Sequence, residues 1–280
     1  MLILDFDGTL TDAEAEGLPF RASYLADLAT ISGAEVEEVE ALAERFTVDV
    51  MENREQHGWV FNGLVVAPAA VDPYLRIMPV ARMILDHYGV LPDEGTRSRL
   101  LDGILYKYNY PKSRTCFREG ALDFLLSRQG TATWIVTNSA TDPVRDKVRA
   151  LSATAADPGA LQWLVERVHG FGKKYVIDSD FSDLPDSMEL PGLGRPVLLR
   201  RRRYFEVLDA LRLEAGCDWS EVTVVGDIFE LDLCLPLQLG ARVGLMVNEF
   251  TPPYEQAFLA AHERGGLLHS LAEAKEWVGS

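Results

Sequence analysis

Met1-Leu2-Ile3-Leu4-Asp5-Phe6-Asp7-Gly8-Thr9-Leu10-Thr11-Asp12 is the stretch on which the fold turns. Leu2, Ile3 and Leu4 form a short continuous apolar run, the pattern of a strand buried on both faces. The run leads straight into two carboxylates two positions apart, and then into Gly8-Thr9. At strand period Asp5 and Asp7 point the same way, while Gly8 marks the strand's end and a turning backbone. Asp-Gly after a strand is also ordinary turn chemistry. Two acids without a nearby base resist joint ionisation, so something must hold them. A hard divalent cation with oxygen ligands, Mg²⁺, is the natural candidate.

Working outward, 280 residues suffice for a sizeable core, and 48% apolar residues imply a folded rather than disordered chain. A net charge of −16 argues against a general nucleic-acid binder, which needs a basic face. A small phosphorylated substrate stays open, because a metal and a few local cations can answer its charge. Cys116, Cys217 and Cys234 are scattered, without ligand spacing, and read as thiols in a reducing cytosol. Asp5 and Asp7 interrupt any apolar leader, and no run of about 18 apolar residues predicts a membrane span. The expected setting is cytoplasmic, with no membrane partner.

From about Asp12 to Lys112 the pattern is helical. Phe20, Tyr24, Leu25, Leu28 and Ile31 lie near helical spacing, and Gly33 stops them. The spacing predicts further helices over about 35–53, 73–88 and 94–108, with 59–66 a loop or short strand. No strand alternates with these helices. After Pro111 the character changes: a helix is predicted over 117–127, a strand over 132–136 and a helix from Asp142 to about Leu151. An extended run is expected over 173–177, a loop with a small hairpin over 178–194, and a helix from Tyr204 to about Leu213. Strands over 221–225 and 242–247 and helices over 253–263 and 270–278 complete the chain. Alternating strands and helices imply a parallel sheet with crossover helices.

Three groups of polar residues fall at predicted strand ends, where ligands bind in open α/β sheets. Asp5 and Asp7 are the first. Thr137-Asn138-Ser139 is the second: a hydroxyl and adjacent N–H groups can meet a phosphate oxygen, though the same residues make good helix caps. Gly226-Asp227-Ile228-Phe229-Glu230-Leu231-Asp232 is the third.

In this order the three groups resemble the signature of the haloacid dehalogenase (HAD) superfamily. The resemblance implies a three-layer α/β/α Rossmann-like core with a parallel sheet, at residues 1–13 and 114–280, and an all-α C1-type cap at 14–113. It implies that Asp5 is the nucleophile and Asp7 the general acid/base. Thr137 would hold the phosphoryl group, with Asn138 and Ser139 beside it. Mg²⁺ would take one Asp5 oxygen, the Asp7 main-chain carbonyl and Asp227, with Asp232 ligating through water or orienting the site. The family also needs a Lys or Arg near the start of the helix before the Gly-Asp strand. Arg200-Arg201-Arg202-Arg203 stands there, and Arg201, then Arg200, is expected to fill the role. Lys173 and Lys174 are a further candidate pair, though early in the chain by this spacing. Glu230 is an extra acid without an expected role.

The family's dehalogenases generally lack an Asp at the Asp7 position, so the resemblance points to phosphate esters. The implied function is Mg²⁺-dependent hydrolysis of a small phosphorylated metabolite through an aspartyl-phosphate. A phosphomutase, a dehalogenase and a non-catalytic binding protein on the same fold are the alternatives. In the cap, Arg21, Arg45, Arg54, Lys107, Lys112 and Arg114 and the aromatic Trp59, Phe61, Tyr106, Tyr108 and Tyr110 are candidates to meet substrate, beside the commoner solvated or core roles.

Overall fold

An apolar residue at every position suits Leu2–Leu4 to the middle of a sheet, and there it lies: β1 (Leu2–Leu4) is buried throughout. The structure, a computed structural model, describes residues 1–109, 111 and 115–279; Tyr110, Lys112 and Arg114 lie outside the described residues. After β1 come α1 (Ala13–Ser32), α2 (Val36–Glu52), β2 (Gly58–Phe61), β3 (Leu64–Pro68), α3 (Pro73–His87) and α4 (Glu94–Tyr108). The chain continues through α5 (Ala121–Leu126), β4 (Thr133–Val136), α6 (Thr141–Ser152), α7 (Gln162–Val165) and β5 (Val168–His169). A small antiparallel pair follows, β6 (Ser187–Met188) and β7 (Val197–Leu198), then α8 (Arg202–Ala215) and β8 (Thr223–Gly226). The last elements are α9 (Cys234–Gln238), β9 (Arg242–Met246), α10 (Pro253–Ala261), β10 (Gly265–Leu268) and α11 (Leu271–Gly279).

Two compact units emerge. The first comprises Met1–Asp12, Val60–Ala67 and Phe117–Ser280; the second comprises Ala13–Trp59 and Pro68–Cys116. The first is built on a six-stranded parallel sheet in the order β10-β9-β8-β1-β4-β5. Leu2 faces Thr133 on one side and Thr223 on the other. Alternate strand residues feed opposite faces, as the pleat requires. Ile3, Trp134, Val224 and Leu245 join Tyr204, Leu208 and Leu211 of α8 in one core. Leu4, Ile135, Val225 and Met246 join Phe124, Val144, Val148 and Leu271 in the other. Sequence order reverses at β1, which leaves a crevice beyond its carboxyl end.

The second unit packs α1–α4 around Phe20, Tyr24, Leu28, Val39, Ile77, Ile84 and Leu101. Asp72 caps α3, accepting the Tyr74 and Leu75 N–H groups, and Asp93 caps α4. The candidate cation Lys107 is engaged with Asp27, 2.7 Å away.

Three expectations need correction. The 14–113 stretch is not all helix: Asn62 (φ 49°) and Gly63 (φ 79°) close the β2–β3 hairpin as a type I′ turn, and residues 60–67 belong to the first unit. The expected strand at 173–177 lies earlier, at β5, because Phe171 (φ 55°) and Lys173 (φ 47°) take left-handed conformations that no strand tolerates. β10 is a strand beyond those expected, its Gly265-Gly266 start lacking the usual β-branched signal.

Candidate active site

Asp5 follows β1 directly, and its N–H donates to the Val225 carbonyl at 2.9 Å, so the last backbone contact of the central strand places it. Its Oδ1 accepts from the Lys174 ammonium at 2.6 Å and its Oδ2 from the Thr9 hydroxyl at 3.3 Å. The same ammonium donates to Asp232 Oδ1 at 2.8 Å, and Asp232 Oδ2 accepts the Ile228 N–H at 3.0 Å. Tyr204 completes the support: its hydroxyl donates to the Asp232 carbonyl at 2.9 Å, and its ring lies 5.4 Å from the ammonium.

Asp5, Asp227 and Asp232, all buried, each bring a carboxylate oxygen within 4.8 Å of the others. The close approach needs a glycine. Gly8 has φ +78°, and a Cβ there would stand 2.0 Å from Asp227 Oδ2. Lys174 bridges two of these carboxylates, Asp5 and Asp232, and Asp227 adds a third acid to the charge gathered there. An all-oxygen donor set with that charge fits Mg²⁺. The Asp7 carboxylate stands apart from this group. Its Oδ2 accepts from Ser139 Oγ at 2.6 Å and from Thr137 Oγ1 at 3.4 Å, and Lys147 Nζ lies 3.5 Å from its Oδ1.

Burial raises the Asp5 carboxyl to about 7, against the pull of Lys174; the nearby Asp232 and Asp7 add to the rise. Burial opposes the charge on Lys174, but Asp232 and Asp5 outweigh it and hold the ammonium well above its ordinary value.

Asp5, Asp7, Thr137, Ser139, Asp227 and Asp232 therefore come together at the sheet's carboxyl edge. Asn138 serves the same region differently, its Oδ1 accepting the Lys174 N–H at 2.8 Å. The expected basic residues are corrected. Arg201 is fully buried, but its guanidinium donates to the carbonyl oxygens of Leu198, Lys174 and Val66. Arg200 turns to the Leu184 and Ser179 carbonyls and to Asp186, 2.6 Å away. The cation on Asp5 is Lys174. The segment from Tyr175 to Arg201, with its β6–β7 hairpin, separates it from α8, where helix-start spacing looks for it. Its signal was its place just beyond a strand end, hidden because β5 is two residues long. Lys147, half-buried on α6 between Val144 and Val148, leaves no distinctive signal in the sequence.

Glu230, unassigned from sequence, is fully buried and paired with Arg195. Glu255, also fully buried, stands near the pair, and burial followed by the Glu230 charge pushes its carboxyl well above the usual range.

No protein-family model matches the sequence, and no curated protein matches it. Solved structures do. The chain is similar to YfnB from Bacillus subtilis, described as a HAD-hydrolase bound to magnesium, at 15% identity and a TM-score of 0.52, over 100% of this chain and 98% of that one. It is also similar to a haloacid dehalogenase-like protein of unknown function from Agrobacterium tumefaciens, at 14% identity and a TM-score of 0.51, over 99% and 96% of the two chains. Among the described residues no helix is long and apolar enough to cross a membrane.

Proposed function

The chain has the fold of the HAD superfamily hydrolases, and from the acids gathered on it we propose that it is a Mg²⁺-dependent phosphoric monoester hydrolase acting on a small phosphorylated metabolite. The observation that carries this reading is the meeting of Asp5, Asp227 and Asp232 at the end of the central strand, with Lys174 bridging Asp5 and Asp232 and Asp7 held two residues on. Asp5, Asp227 and Asp232 would hold the cation, which supplies charge neutralisation for the phosphoryl oxygens.

An Asp5 oxygen attacks phosphorus as the bond to the ester oxygen breaks, forming an aspartyl-phosphate. Asp7 gives its proton to the departing oxygen. Water then attacks the same phosphorus, the bond to Asp5 breaks, inorganic phosphate leaves, and Asp7 recovers a proton from the water. Ser139 and Thr137 orient the Asp7 carboxyl for both transfers. Lys174 orients Asp5 and answers charge on the phosphoryl oxygens. Thr137, Asn138 and Ser139 are the proposed phosphoryl-side residues. The retained Asp7 favours an ester over a carbon–halogen bond, since only an alkoxide leaving group needs its proton.

The direct test is hydrolysis of a generic aryl phosphate with Mg²⁺ and with EDTA. Turnover that requires the cation is expected, with beryllofluoride inhibiting it as a mimic of the aspartyl-phosphate. Equal rates in EDTA would overturn the reading.

The raised Asp5 carboxyl adds a pH dependence. Below about 7 the metal-free protein carries a proton on Asp5 that the cation must displace; above it the proton is already gone. Mg²⁺ affinity should thus fall by up to about tenfold per pH unit below 7 and level off above it. Calorimetric titration from pH 5.5 to 8, in two buffers of different ionisation enthalpy, measures affinity and proton release together. A flat affinity without proton release would contradict the assignment.

A further inference from the structure

The segment between Lys174 and α8 does more than separate them. Between β6 and β7 it carries Arg195, which reaches into the turn bearing Asp227 and Asp232. Arg195 Nη2 and Nη1 donate to Glu230 Oε1 and Oε2 at 2.6 and 2.8 Å, a two-point grip on a fully buried carboxylate. Glu230 sits within a π-helical turn, Phe229–Leu233, that also includes Asp232. Such widened turns recur at functional sites. Cys234 Sγ donates to the Glu230 carbonyl at 3.0 Å, so the residue is held at both its backbone and its carboxylate.

A buried ion pair is a poor source of net stability, because desolvation offsets its attraction and an apolar pair of similar shape often folds as well. What the bidentate fork supplies is direction. We propose that Arg195 is a positioning residue for the divalent-cation site: its grip on Glu230 fixes the turn that presents Asp227 and Asp232 to the cation. The inference rests on reading Asp5, Asp227 and Asp232 as that site. Groups that orient metal ligands without touching the metal typically change affinity by about 10–100-fold when removed.

Mg²⁺ binding to the full chain is measured by calorimetry, with the Tm of each protein, for the native chain, Arg195→Lys, Arg195→Met and Arg195→Met/Glu230→Met. Both single variants should weaken Mg²⁺ binding by about 10–100-fold. Arg195→Lys keeps the charge and loses the fork, and it stands in if Arg195→Met fails to fold. The apolar pair should recover a near-native Tm while Mg²⁺ binding stays weak; that split marks positioning rather than mere packing. Native-like Mg²⁺ affinity in the folded variants, or affinity restored along with Tm in the double variant, would overturn the inference. A native chain that binds no Mg²⁺ would overturn the proposed function, and this inference with it.

Discussion

Asp5→Asn should abolish aryl phosphate turnover, by a factor on the order of 10⁶, the scale on which enzymes lose rate when a nucleophile is removed. Asn is isosteric with Asp and keeps an oxygen for the Lys174 ammonium, so the site should stay assembled. The amide cannot form the acyl-phosphate, and the covalent route closes. The fold should not suffer. Burial already makes ionisation of Asp5 unfavourable, and Asn removes that cost; Lys174 retains Asp232 at 2.8 Å. Initial rates with Mg²⁺, measured beside thermal unfolding, separate the two effects. A folded Asp5→Asn chain within tenfold of the native rate would end the aspartyl-phosphate mechanism.

Lys174→Met should damage activity and stability together. The side chain is 1% exposed and bridges Asp5 and Asp232, so Met fills much of the volume but leaves buried carboxylates without their cation. Removing one member of such a pair typically costs about 3–5 kcal/mol, and part is recovered here because Asp5 protonates readily. The loss should be larger in EDTA than in Mg²⁺, since a bound cation answers the same charge. Turnover should fall by about 10³-fold, the scale of a lost electrostatic contact to the transition state. Denaturant unfolding with and without Mg²⁺, together with rates, tests both parts. Stability unchanged in EDTA would mean that the ammonium does not hold the carboxylates.

Those two residues mark where the sequence was legible and where it was not. Asp5, Asp7, Thr137, Asp227 and Asp232 could be read because each lies at the end of a strand whose apolar run is visible, Leu2–Leu4, Thr133–Val136 or Thr223–Gly226. Strand ends converge in a parallel sheet, so finding the strands brings the residues together. Lys174 follows a two-residue strand and a loop with left-handed Phe171 and Lys173, neither of which leaves a periodic pattern. Arg201 stands at the N-cap of a helix, where the spacing looks for a cation, yet its guanidinium donates to the Leu198, Lys174 and Val66 carbonyls instead. The hairpin was readable in principle from Asn62-Gly63, a strong turn signal between apolar flanks. Glu230 and Arg195 lie far apart in sequence and meet only through the fold, a pairing no local pattern reveals.

The central place of β1 also sets a schedule for synthesis. Its partners β4 and β8 follow it by about 130 and about 220 residues. At roughly 5–20 residues per second, β1 waits about 10–45 s before both neighbours have been made. Until then three apolar residues have no sheet to enter, and Asp5 has neither the Val225 carbonyl nor Lys174 and Asp232 around it. A nascent chain shorter than 232 residues can fold its helical unit, but it cannot contain the site. Chaperone dependence during translation should therefore fall on the α/β unit, whose first strand is the one that must wait longest to be completed.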